Sequence, residues 1–251
     1  MNHLQHLSYL RNNYSCMRHG QSKANVKNII VSCIDNDSPD TFGLTDLGRQ
    51  QALQAATGSG LPSDTVICSS DFARASQTAW IVAAALSASA VTVTPALRER
   101  CFGDWEGRAA DNYAVVWAAD KANPDHADGH VEPASAVLSR ATAFIITLER
   151  RYSDRDILLV SHGDTLQILQ TGFLRMNSGR HRELPHFEPA EIRRFHLGLC
   201  RMDAQIQLVG DSGGEVGALA EWLRERTSCA AGSAPSTGLS AKPSLARSSS
   251  C

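Results

Sequence analysis

The run Ile157-Leu158-Leu159-Val160, closed by Ser161-His162-Gly163, has four consecutive apolar residues and no polar alternation. A strand of this composition is covered on both faces, as in parallel sheets whose crossovers are helices. The flanking segments supply such helices. Ala134 to Arg151 carries Val137, Leu138, Ala141, Phe144, Ile145 and Leu148 at helical spacing, and Thr165 to Leu174 predicts a second helix that Asp164 can cap.

The same alternation runs through the rest of the chain. Tyr14-Ser15-Cys16-Met17 predicts a strand, and Asp46 to Ala56 a helix with Thr45 at its N-cap. The β-branched run Thr65 to Cys68 predicts a strand ahead of an alanine-rich helix, Phe72 to Leu86. Val91 to Val93 predicts a third short strand. Cys101 to Arg108 reads as irregular, and residues 118 to 133 as a polar excursion with the loop signals Asn123-Pro124 and Asp128-Gly129. Short strands are expected at Glu191 to Phe195 and Gln205 to Val209, and a terminal helix at Glu215 to Arg226. The fold class is therefore α/β, three layers, with a mostly parallel sheet between helices.

The expected domain spans 14–226, and the Ser, Ala, Gly and Pro-rich remainder, 227–251, lacks the large apolar residues needed to fold. A net charge of −2 gives no basic stripe for nucleic acid, and no apolar stretch reaches the ~20 residues of a membrane helix. Seven scattered cysteines without paired spacing, and a polar N-terminus, point to reduced thiols in the cytoplasm. The sequence fixes no oligomeric state.

Three expected strands end in polar clusters: Arg18-His19, Ser69 to Arg74, and His162-Gly163. In open parallel sheets ligands bind beyond the carboxyl ends of strands, so these clusters are expected to converge. Arg18-His19-Gly20 suits phosphate. An imidazole can attack phosphorus, which splits a difficult hydrolysis into two easier steps, and a guanidinium can bind the phosphoryl oxygens through paired N–H groups. Short-spaced His or Cys ligands for a metal are missing from the pattern, so neither a metal nor another cofactor is expected.

Over residues 14 to about 210 the chain resembles the histidine phosphatase superfamily, also called the phosphoglycerate mutase-like family. The resemblance rests on Arg18-His19-Gly20 with Asn25, on Ser69-Ser70-Asp71-Phe72-Ala73-Arg74, on Leu97-Arg98-Glu99-Arg100, and on Val160-Ser161-His162-Gly163. It implies a phosphate-binding role for Arg18, Asn25, Arg74 and the Gly163 amide. By the same resemblance His19 is the nucleophile, Glu99 the proton donor and His162 the second histidine. Ser22 and Ser32 are further substrate-binding candidates. The mechanism asks for a neutral His19 and favours a cationic His162.

Phe102-Gly103-Asp104-Trp105-Glu106-Gly107 looks like the phosphatase branch rather than the mutases. Val31-Ser32 stands where the family usually has a small polar residue followed by glycine, and His130-Val131-Glu132 keeps only the glutamate of a Gly-Gly-Glu segment. The expected activity is hydrolysis of a small phosphorylated metabolite through a phosphohistidine. A mutase-type transfer and a non-catalytic phospho-ligand or protein-binding module are the alternatives.

Overall fold

The computed structural model describes residues 1–198. Five strands form one sheet: β1 (Asn13–Arg18), β2 (Val66–Ser69), β3 (Val91–Val93), β4 (Asp156–Ser161) and β5 (Ile192–Phe195), in the order β3-β2-β4-β1-β5. All neighbours are parallel except β5, which runs antiparallel against β1 and forms one edge. The apolar run at 157–160 is the central strand, as its composition demands.

Side chains alternate between two faces and meet two different helix layers. Tyr14, Cys16, Ile157 and Leu159 pack with Ile145, Leu148, Leu166, Leu169 and Phe173. Those partners come from α6 (Ala134–Arg151) and α7 (Gly163–Leu174). Met17, Ile67, Leu158 and Val160 face the other way, onto Ala52, Ala56, Ala75, Ala79 and Val82. These belong to α3 (Asp46–Gly58) and α4 (Ala73–Leu86), whose alanines present small side chains to the sheet. Glu149 closes the first layer at the start of β1: its carboxylate accepts from Asn12 Nδ2 at 2.7 Å and from the Tyr14 hydroxyl at 2.8 Å.

Two regions differ from the sequence expectation. The stretch between β1 and α3, for which the sequence pattern predicts no element, holds two short helices, α1 (Lys23–Lys27) and α2 (Pro39–Phe42). The polar excursion begins inside a helix, α5 (Tyr113–Ala122), which turns Val116 inward and leaves Val115 exposed. Its inward side joins Ile30, Phe102 and Val131 in a separate apolar cluster. Asp164 does not cap α7: His162 holds the N-cap position, and Asp164 lies buried in the first turn. The strand expected at Gln205 to Val209, the helix at Glu215 to Arg226 and the tail 227–251 lie outside the described residues. No helix among the described residues is long and apolar enough to cross a membrane.

Candidate active site

Strand register brings the polar clusters together. Arg18 stands opposite Ser161, and Ser69 opposite Val160, so His19, Ser70 and His162 leave adjacent strands at the same end of the sheet. A cleft of about 310 Å³ opens there, lined among others by Arg18, His19, Asn25, Arg74, Glu99 and Gly163.

His19 is 3% exposed and fixed from two sides. Nδ1 lies 2.7 Å from the Gly20 carbonyl, an acceptor, so Nδ1 carries the hydrogen. Nε2 is then the nitrogen with the lone pair, and it accepts from Nε of Arg74 at 3.1 Å. Burial, with Arg74 and Arg18 nearby, holds this imidazole well below its ordinary value, so it is neutral.

The two arginines are anchored by carbonyls. Arg18 donates from Nη1 to the Phe187 carbonyl at 2.6 Å, and Arg74 from Nη2 to the Val31 carbonyl at 2.9 Å. Arg74 Nη1 has only a 3.7 Å ion pair with Asp37. Three buried nitrogens around His19 have no hydrogen-bond partner among the described residues: Arg18 Nε, Arg74 Nη1 and His162 Nδ1. Native interiors rarely leave such groups unpaired, and a cluster of two guanidinium donors and an imidazole is chemically complementary to an anion.

His162 is fully buried. It packs behind His19, ring centroids 5.2 Å apart at 63°, and against Phe72 at the same separation. The cationic state expected of it beside a phosphate dianion is opposed by the protein's own groups. Burial first, then Arg74 and His19, keep its imidazole well below the ordinary value. Its Nε2 lies 2.9 Å from the Ser70 hydroxyl, which already accepts from the Phe72 amide. The Ser70 hydrogen has no other acceptor among the described residues, so it goes to Nε2, and the unpartnered Nδ1 carries a hydrogen.

Glu99 lies on the irregular segment after β3, and one carboxylate oxygen, Oε1, accepts from the Arg100 amide at 3.0 Å and the Thr165 hydroxyl at 3.1 Å. Burial, then the charge of Asp164, raise its pKa above the ordinary carboxylate value, and Arg74 opposes them. Asn25 and Ser22 form a capping box at the start of α1, with the Asn25 side-chain oxygen accepting from the Ser22 amide at 3.0 Å. The Asn25 side-chain NH2 has no partner among the described residues, whereas the buried Ser22 hydroxyl is taken up in the cap. Gly163 opens α7, where an amide has no partner within the helix. A Cβ here would lie 3.5 Å from Arg18 Nε.

Ser32 is not brought to the cleft. Its hydroxyl donates to Glu106 at 2.6 Å and accepts from the Phe102 amide at 2.9 Å, so it ties the segment after α1 to the segment after Glu99. Several cleft residues have no place in the sequence expectation, among them Tyr113, Trp117, Arg182 and His186. Tyr113 and Trp117 carry a readable signal, since two aromatics four apart share one side of a helix. Arg182 and His186 carry none.

Beneath these lies a buried ionic network. Arg100 is fully buried and bonds both oxygens of Asp120, at 2.6 and 2.7 Å. Asp164 accepts from Trp117 Nε1 at 2.8 Å and pairs with His181 at 3.1 Å. Burial pushes the Asp164 carboxyl up, but His181, Arg100 and Arg182 outweigh it and hold it below the ordinary range. Among the described residues no group of three or more His, Cys, Asp or Glu side chains is placed to hold a metal ion.

The profile of the histidine phosphatase superfamily, branch 1, matches residues 15–208. The glucosyl-3-phosphoglycerate phosphatase of Mycolicibacterium vanbaalenii is 30% identical over 170 residues, which cover 63% of this chain and 72% of the relative. A probable phosphoglycerate mutase of Escherichia fergusonii is 32% identical over 196 residues, 75% of this chain and 83% of the relative. The native structure of the mycobacterial glucosyl-3-phosphoglycerate phosphatase superposes with a TM-score of 0.62 at 25% identity, covering 72% of this chain and 88% of that one. This chain belongs to the histidine phosphatase superfamily, branch 1, and is a phosphatase.

Proposed function

We propose that the chain hydrolyses the phosphomonoester of a small metabolite, such as a sugar phosphate or bisphosphate, through a phosphohistidine on His19. The observation that carries this reading is the set of unpaired nitrogens on Arg18, Arg74 and His162 around a neutral, buried imidazole. A phosphoryl group seated there accepts those N–H groups. It also takes over the Arg74 Nε–H now bonded to His19 Nε2, which frees that lone pair for attack.

The steps balance without a metal. Nε2 of His19 bonds to phosphorus as the ester P–O bond breaks, and Glu99, whose raised pKa favours the acid form, gives its proton to the leaving alkoxide. Water then attacks the phosphohistidine while Glu99 takes back a proton; the P–N bond breaks and inorganic phosphate leaves. Arg18 and Arg74 meet the charge that develops on the phosphoryl oxygens, with the Asn25 NH2 and the Gly163 amide as further donors. In this reading His162 acts in its neutral form, with Nδ1–H as the donor.

The test is to mix the protein with a ³²P-labelled phosphomonoester and quench in alkali. Label that is stable to base, labile to acid and missing in His19→Ala is the expected result. Phosphate release that survives in His19→Ala overturns the mechanism. Transfer to a second substrate would use the same intermediate, and the probable mutase among the relatives keeps that reading in view. Turnover of 3-phosphoglycerate to its isomer, in place of phosphate release, would favour it.

A further inference from the structure

Beside the phosphate pocket the cleft holds a further cation, which forms no ion pair with a carboxylate among the described residues. Arg182 is half-buried on the segment after α7 and lays its guanidinium 3.6 Å from the centre of the Trp117 ring. Trp117 in turn stacks on Tyr113, centroids 5.3 Å apart and 9° from parallel. Arg182 Nη1 donates to the Gln167 side-chain oxygen. The nearest acidic group acting on it, Asp164, is already bonded to Arg100, His181 and Trp117, and forms no ion pair with it.

His186 completes the arrangement. Arg18 Nη1 donates to its Nε2 at 2.9 Å, which places the hydrogen of the neutral ring on Nδ1. Burial, then Arg18 and Arg182, hold this histidine below its ordinary value and so keep it neutral at pH 7. The Nδ1–H consequently faces Arg182 Nη1, 3.5 Å away, donor against donor. An anionic oxygen between them converts an unfavourable contact into two hydrogen bonds, one of them to a full cation.

We infer that Arg182 and the Nδ1–H of His186 form a second anion subsite, so that the preferred substrates are phosphomonoesters carrying another carboxylate or phosphate a few bonds from the ester. The inference rests on the hydrolase reading above. A single imidazole separates the guanidinium of Arg18 from that of Arg182, which sets the short span between the two anionic groups. The stacked pair of Tyr113 and Trp117 lines the cleft beside the carbon skeleton.

The experiment uses p-nitrophenyl phosphate as reporter and measures competitive inhibition by three probes. Glycerol 3-phosphate has one anionic group, 3-phosphoglycerate adds a carboxylate, and glycerol 1,3-bisphosphate adds a phosphate. In the wild type one or both doubly anionic probes bind about tenfold more tightly than glycerol 3-phosphate, the worth of one charge-assisted bond. In Arg182→Gln that preference falls to about twofold or less, and Arg182→Lys restores part of it. Which probe shows the larger change identifies carboxylate or phosphate. The readout is a ratio within one sample, so partial misfolding of a variant does not move it. Equal binding of all three probes by the wild type, or an undiminished preference in Arg182→Gln, overturns the subsite and leaves the hydrolase reading intact. A wild type that releases nothing from the reporter overturns both.

Discussion

Nε of Arg74 donates to Nε2 of His19 across 3.1 Å, so the side chain that would bind the phosphoryl group also guards the lone pair that would attack it. The Gly20 carbonyl fixes the other ring nitrogen, and together the two bonds set tautomer and orientation before any substrate arrives.

Arg74 has two effects that one substitution separates. Arg74→Met removes a phosphoryl donor, and kcat/KM is expected to fall by roughly 10²–10³. It also removes a cation that depresses the His19 pKa, although burial, the larger cause, remains. The acid limb of the kcat/KM profile reports the pH at which His19 becomes neutral, so it moves to higher pH in the variant. An acid limb that stays in place would show that burial and Arg18 alone hold His19 neutral.

Glu99 is identified by its leaving-group dependence. Its pKa is raised by burial and Asp164, so activity that needs its proton declines as pH rises through that raised value. Glu99→Gln lowers kcat/KM for an alkyl phosphate such as glycerol 3-phosphate by roughly 10²–10⁴. The loss is much smaller for p-nitrophenyl phosphate, whose leaving phenolate needs no proton, and the residual activity loses its alkaline limb. Equal losses for both substrates would assign proton donation to another group.

The sequence carried the sheet and the line of the phosphate pocket for a simple reason. Strand ends are fixed by where apolar runs stop, so Arg18-His19, Ser69-Ser70 and Ser161-His162 could be placed on one rim before any coordinates. Arg74 and Glu99 were legible only through resemblance, because a lone arginine on a helix and a lone glutamate on a loop have no local mark. Ser32 was misplaced because a loop hydroxyl reads the same whether it meets a ligand or, as here, Glu106. The sequence points to a cationic His162 beside a phosphate dianion, whereas the complete burial that opposes that charge has no mark in the sequence. Arg182 and His186 reach the cleft from a connection that follows α7, a route no periodicity announces.

The buried network under the cleft is expected to control stability. Asp120→Ala leaves the fully buried Arg100 with only the 3.4 Å pair to Asp164 and one carbonyl bond to Glu132. Removing one partner of a buried ion pair costs about 3–5 kcal/mol, and urea titration of the variant is expected to show a loss of that order. A loss below about 1 kcal/mol would mean that Asp164 takes over as the counter-ion.

Gly48 is the last and sharpest test of how the nucleophile loop is held. It sits in the first turn of α3, directly against the backbone of Gly20 and Gln21. A Cβ at Gly48 would fall inside the radius of the Gln21 carbonyl oxygen, and one at Gly20 would fall inside that of the Gly48 carbonyl oxygen. Both obstacles are backbone atoms, so neither can be relieved by a side-chain rotation, and the loop carrying His19 must move away from the helix. Gly48→Ala is therefore expected to cost about 1–3 kcal/mol in stability, as for an overpacked core. Activity is expected to fall further than the folded fraction, because the Gly20 carbonyl that orients His19 lies in the displaced segment. Thermal unfolding and kcat measured on the folded protein separate the two effects. A Gly48→Ala variant with wild-type kcat would show that this helix crossing supports the fold alone and does not aim the imidazole.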